Sequence, residues 1–198
     1  MKNVQTIKLG PVQAIMRKLA ASALALATLG AVVPLSSCAD GERCPEHLPP
    51  AIPAALEVPA GQKLTFHATG VGVQIYVWTT NPTNPALASW VFSAPHAILL
   101  REDHGVVGRH FAGPTWQAND GSAVVGAKLA SVTVDSTAIP WLLLQAASTS
   151  GDGIFSNVTY VQRLNTAGGL APTTPGNTPG QEVLVPYLAE YYFYQAQP

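Results

Sequence analysis

Charge is scarce in this chain. Asp, Glu, Lys and Arg make up 11% of its 198 residues, less than half of the roughly 25% usual in soluble proteins. Four of the ten Lys and Arg residues precede Cys38, so the remainder holds six basic against eleven acidic residues. It contains no Lys/Arg cluster that could neutralise a run of phosphates, which argues against nucleic acid as a partner. Cysteine is limited to Cys38 and Cys44. No period of roughly 20 to 50 residues recurs, which excludes a repeat architecture. Convincing amphipathic helices are also missing, Ser122 to Leu129 being the nearest approach.

Glycine and proline, by contrast, are plentiful at 17 each, and they predict many turns and few long helices. The chain opens with a segment of a different kind. Met16-Arg17-Lys18 leads into an uncharged apolar run from Leu19 to Leu35, the pattern of a secretory signal. Gly30 and Pro34 interrupt that run, and about 20 apolar residues are normally needed to span a bilayer, so a retained anchor is the weaker reading. Leu35-Ser36-Ser37-Cys38 resembles a bacterial lipoprotein box. It implies a lipidated Cys38, a membrane as partner and an exported, envelope-anchored protein. Pairing of Cys38 with Cys44 in an oxidising compartment is the alternative. Met16 gives a compact basic head and is the expected start. The resulting division is a signal segment over 1–37, a Pro/Ala-rich tether over 38–60 that includes a solvated His47, and a β domain over 61–196.

Period two dominates from Gln62 onward. Leu64, Phe66 and Ala68 alternate with Lys63, Thr65 and His67, and Val73, Ile75 and Val77 with Gln74, Tyr76 and Trp78. Gly70-Val71-Gly72 between the two sets predicts a hairpin turn. Leu87 to Phe92 and Ala97 to Arg101 read as two short strands. Val106 to Val125 reads as a hairpin turning at Asn119-Asp120-Gly121, where Asn and Asp tolerate a left-handed backbone and Gly adopts it freely. Arg109 and Phe111 should share a face with Val107, and Gly108 and His110 the other. Ile139 to Leu144 is apolar without alternation, as in a strand covered on both sides. Phe155 to Leu164 and Glu182 to Tyr194 complete the set, with Pro186 requiring a bulge or an edge. Eight to ten strands without helices indicate a single antiparallel β-sandwich or barrel-like domain.

Several of these stretches taken together carry a resemblance: Gly72-Val73-Gln74-Ile75-Tyr76, His110-Phe111-Ala112-Gly113-Pro114-Thr115-Trp116, Ile139-Pro140-Trp141-Leu142-Leu143, Tyr160-Val161-Gln162-Arg163-Leu164 and Gly168-Gly169-Leu170-Ala171-Pro172. Their order resembles the secreted bacterial and fungal family known as domain of unknown function 3455, over roughly Glu57 to Tyr194. The resemblance implies export, one β-rich domain and no established activity. Members of that family often carry one Cys after the Gln-Ile-Tyr motif and another in the late Pro-rich loop. Here Trp78 follows the motif and 171–180 contains no Cys, so packing around Trp78 must secure that connection.

No motif dictates a reaction. Ser122 lacks a G-x-S-x-G elbow and is expected to close a turn. Glu102-Asp103-His104 with His110 is the densest ionisable set, but its spacing matches no standard zinc or copper site. His67 and His96 read as ordinary surface or packed histidines. Neither a metal nor an organic cofactor is expected. His110, Trp116, Gln117 and Asp120 form the expected ligand-facing set, since an exposed aromatic beside polar groups can stack on a glycan or small molecule. The expected role is a non-catalytic envelope binding or structural module. The alternative is a metal-dependent enzyme or hydrolase using His104, His110 and Asp120.

Overall fold

Alternating inward and outward side chains build eight antiparallel strands: β1 (Gln62–Thr80), β2 (Ala88–Leu100), β3 (Val106–Phe111), β4 (Thr115–Ala118), β5 (Ala123–Val132), β6 (Trp141–Ser150), β7 (Val158–Gly168) and β8 (Glu182–Ala196). Each pairs with its successor and β8 returns to β1, so the sheet closes into a barrel and not a sandwich. Closure removes the free edges that an open sheet would expose. The computed structural model describes residues 49–81, 83, 84 and 87–198. The expected export segment with Met16, and Cys38, Cys44 and His47, lie outside the described residues.

The predicted turn at Gly70-Val71-Gly72 is absent, because β1 runs straight through it for 19 residues. The two glycines serve close approach instead. A Cβ on Gly70 would lie 2.5 Å from the Tyr191 ring, and one on Gly72 would lie 2.1 Å from the His96 carbonyl oxygen and 2.5 Å from Ala97 Cα. In the second half of β1 the row of Gln74 and Tyr76 is the buried one, while Val73, Ile75 and Val77 are half-buried. The two short runs expected between Leu87 and Arg101 are one strand, with a register shift opposite Ile75/Tyr76 that leaves Ser93 unpaired. Pro95 and Pro186 both sit where their strand is flanked on one side only. β3 reaches no further along β2 than Ala97, and β7 no further along β8 than Tyr187. A missing N–H is tolerated there.

Two apolar layers result. Inside the barrel lie Ala68, Leu99, Trp116, Leu144, Val161, Tyr191 and Phe193. Outside, Trp141, Leu143, Leu164, Tyr192 and Tyr194 form a second cluster, capped by Leu56 with Ile52 and Val58 packed against it. A single 3₁₀ turn, Ala54–Leu56, carries that cap, so the expected tether joins the domain several residues before its composition suggests. Gln162 secures the junction. Its amide donates to the Leu56 carbonyl at 2.7 Å, and its carbonyl accepts from the Tyr194 hydroxyl at 2.7 Å. This second layer is why Ile139 to Leu144 lacks alternation: Leu144 faces the interior and Leu143 the cap.

The irregular chain between β7 and β8 is fastened as the missing cysteines required. Trp78 packs edge-on against Trp90 with ring centroids 5.3 Å apart. Gly176 lies against the Trp78 ring, Trp90 Nε1 donates to the Thr174 carbonyl at 2.9 Å, and the Trp78 backbone exchanges bonds with Gly180 and Gln181.

Candidate functional site

Strand lengths create the site. The hairpin of β3 and β4 is short, and turns at residues 112–114. β2 continues past Ala97, where its pairing with β3 ends, and β5 continues past Val125, where its pairing with β4 ends. The barrel wall therefore has a notch above the turn. A cavity of about 310 Å³ opens there, with His110, Trp116, Leu144 and Tyr191 at its floor and Phe92, Ser93 and Lys128 at its rim. Arg163 reaches it from β7. Its volume lies at the lower end of the roughly 300 to 1,000 Å³ typical of small-ligand sites.

His110 and Trp116 face each other across the β3–β4 register. Their rings stack with centroids 4.4 Å apart and planes 11° from parallel. Tyr191 completes the aromatic floor, 5.2 Å from the imidazole and 5.4 Å from the indole. His110 Nδ1 lies 2.9 Å from the Thr115 carbonyl oxygen. A carbonyl can only accept, so Nδ1 carries the proton and Nε2 the lone pair. Burial holds the His110 pKa down to about 3, the Thr115 bond opposing and Arg163 adding to the depression. Trp116 Nε1 is buried and has no hydrogen-bond partner among the described residues.

Arg163 is an unusual group for a barrel interior. Its Nε and Nη2 donate to the Pro140 carbonyl at 3.2 and 2.8 Å, and the Tyr191 hydroxyl also bonds it. Burial lowers its pKa, although guanidinium remains charged at any ordinary pH. Tyr191 in turn lies 3.2 Å from the Tyr187 hydroxyl. Burial raises the pKa values of Tyr76, Tyr187 and Tyr191, so the phenols around Arg163 stay neutral.

The expected ligand-facing set divides. His110 and Trp116 line the cavity; Gln117 and Asp120 do not. Gln117 lies on the outer face, where its carbonyl accepts from Arg109 Nε at 3.0 Å and Nη2 at 2.6 Å. Arg109 also sits 5.3 Å from the Phe111 ring centroid. Asp120 is in the turn at the far end of β4. Its Oδ1 accepts from Ser122 N at 2.8 Å and Oγ at 2.6 Å, and its Oδ2 from Ile154 N at 2.9 Å. Ser122 Oγ accepts from Phe155 N at 3.1 Å, so this pair clamps the β4–β5 turn to the loop before β7. The bond from Ser122, followed by those from the Ile154 and Ser122 backbones, lowers the Asp120 pKa. Asp120→Ala should therefore reduce unfolding stability by about 1–3 kcal/mol, through the buried Ser122 hydroxyl it leaves short of a partner. Urea denaturation reads this, and an unchanged midpoint would remove the clamp from the account.

His104 is exposed in the β2–β3 turn with φ 63°, far along β3 from His110. No three His, Cys, Asp or Glu side chains among the described residues gather to hold a metal ion, so His104, His110 and Asp120 do not form the centre that the metal-dependent alternative needs. His67 packs on Tyr192 with ring centroids 4.6 Å apart, and its Nε2 lies 4.0 Å from Glu190 Oε2. Sequence reasoning missed Arg163, Lys128 and Tyr191 as site residues. A signal existed for Arg163: it follows Val161 by two, which puts a cation on an inward-facing row.

No curated protein and no solved structure matches this chain significantly. Residues 59–195, which hold β1 to β7 and all but the last residue of β8, match the family described as Protein of unknown function (DUF3455), and the chain belongs to that family.

Proposed function

We propose that this protein is a non-catalytic binding module of the cell envelope whose ligand site is the notch in the barrel wall. The carrying observation is the cavity of about 310 Å³ walled by the stacked His110–Trp116 pair, Tyr191 and Arg163. It offers flat aromatic faces, an apolar floor and one fixed cation, the combination that small-molecule sites use for affinity and orientation. Among the described residues, Ser93 and His110 both line it, but no hydrogen bond pairs a nucleophile with a base there. His110 is held by the Thr115 carbonyl, and Ser122 is committed to its turn. Export and attachment through a lipidated Cys38 rest on the sequence from Met16 to Cys38. They would present the notch to the periplasm or the exterior.

Ser93 tests the site without disturbing the core, since it is an exposed rim residue left unpaired by the β2 irregularity. A library of small aromatic compounds and monosaccharides, screened by tryptophan fluorescence, should yield binders with the wild-type chain. Ser93→Trp should weaken them at least about tenfold, as expected where a cavity is filled by a side chain, while leaving the melting temperature unchanged. Binders indifferent to Ser93→Trp, or none at all, would count against the notch as the site.

A further inference from the structure

Among the described residues, every charged side chain bordering the notch is basic: Lys128 stands at the rim and Arg163 at the wall, and no Asp or Glu lines the cavity. Among the described residues Arg163 has no carboxylate partner. Its partners are the Pro140 carbonyl and the neutral Tyr191 hydroxyl. Buried charges are normally paired, because an unpaired ion loses its hydration without recompense. Guanidinium has five N–H donors in a rigid fork. The Pro140 carbonyl takes two of them, from Nε and Nη2, leaving donors for a further acceptor.

The other walls restrict what that acceptor can be attached to. Trp116, Tyr191, Leu142, Leu144 and Pro114 line the notch alongside Arg163 with ring and aliphatic surface. A bare inorganic anion would leave those faces wet. An apolar body carrying one acidic group would cover them while its oxygens met Arg163.

We infer that the notch recognises an organic monoanion, a carboxylate on an aromatic or similarly apolar body, with Arg163 as the anchor and Lys128 as a second, solvent-facing cation. This rests on the notch being the ligand site. The body lies against the His110–Trp116 stack and the carboxylate lies against the guanidinium. A neutral analogue of the same shape keeps the stacking and loses the charge-assisted bonds, which are about twice as strong as neutral ones.

The test compares 2-naphthoate with its neutral amide, 2-naphthamide, by calorimetric titration of the full chain. The carboxylate should bind at least about tenfold more tightly. Arg163→Met should bring the two affinities together, Arg163→Lys should retain part of the preference, and Lys128→Met should reduce it less than Arg163→Met does. The wild-type comparison stands on its own if Arg163→Met fails to fold. Equal affinities for the two probes would overturn the anion assignment while leaving the notch as a binding site. Failure of both probes to bind would overturn the notch reading and this inference with it.

Discussion

A Gly72→Val chain is expected not to reach the folded barrel, appearing as insoluble or strand-poor protein under conditions in which the wild type folds. The cause is backbone against backbone. A Cβ at residue 72 would sit 2.1 Å from the His96 carbonyl oxygen and 2.5 Å from Ala97 Cα, both in the main chain of β2. A side chain could rotate away, but these atoms can yield only if β1 and β2 separate, and their pairing runs from Thr69 to Thr80. Ordinary overpacking of a core costs about 1–3 kcal/mol. Parting two strands of a closed barrel costs more, against a total stability of about 5–15 kcal/mol for a typical domain. Gly70→Ala gives the graded comparison. Its clash is with Tyr191 Cε2 at 2.5 Å, a side-chain atom, so that variant should fold with a lowered melting temperature. Circular dichroism and soluble yield decide the matter. A Gly72→Val chain with wild-type melting would mean that β1 does not approach β2 this closely.

That glycine also shows where local pattern stops being informative. Gly-Val-Gly between two alternating runs has the composition of a turn, and the reason it is not one is a contact with residues more than twenty positions away. The same holds for Gln74 and Tyr76. Hydrophobicity alone would turn Val73 and Ile75 inward, but the Tyr76 hydroxyl has a buried partner in the Gly169 carbonyl at 2.6 Å, a residue from the β7–β8 connection. Where the determinants are local, the sequence is legible. Gly121 adopts φ 90° in open space, as the Asn-Asp-Gly turn predicts. His110 and Gly108 point inward and Arg109 and Phe111 outward as their parity requires, while a register shift opposite Leu99/Leu100 turns Val107 in with them. The notch was not legible because it depends on the difference between strand lengths. Four-residue β4 places Trp116 near the 112–114 turn and Asp120 at the opposite end, so a set grouped by closeness in sequence is divided in space.

Between about pH 6.5 and pH 3 the protein should lose stability, with His110 contributing up to about 1.4 kcal/mol per pH unit. In the unfolded chain this imidazole takes up a proton near its ordinary pKa of about 6.5. In the barrel it resists until about pH 3, because the residue is 3% exposed and charging the ring there would strip the ion of its hydration. Arg163 nearby opposes the same charge. Throughout that interval the unfolded state binds the extra proton, so acid favours unfolding. The contribution is complete above pH 6.5 and is lost as pH falls towards 3. Asp120 acts lower on the scale. Its depressed carboxyl supports the fold above its unfolded pKa and gives that support up as pH falls through the folded value. The two groups are separated by variants. His110→Gln keeps an amide able to donate to the Thr115 carbonyl but has no proton to gain, so its stability should fall less steeply between pH 6.5 and 4, whatever its absolute value at pH 7. Urea midpoints across that range give the two slopes, and the imidazole resonances give the protonation state directly. His110 protonated at pH 5, or slopes that coincide, would place the ring in contact with water and remove it from the floor of the notch.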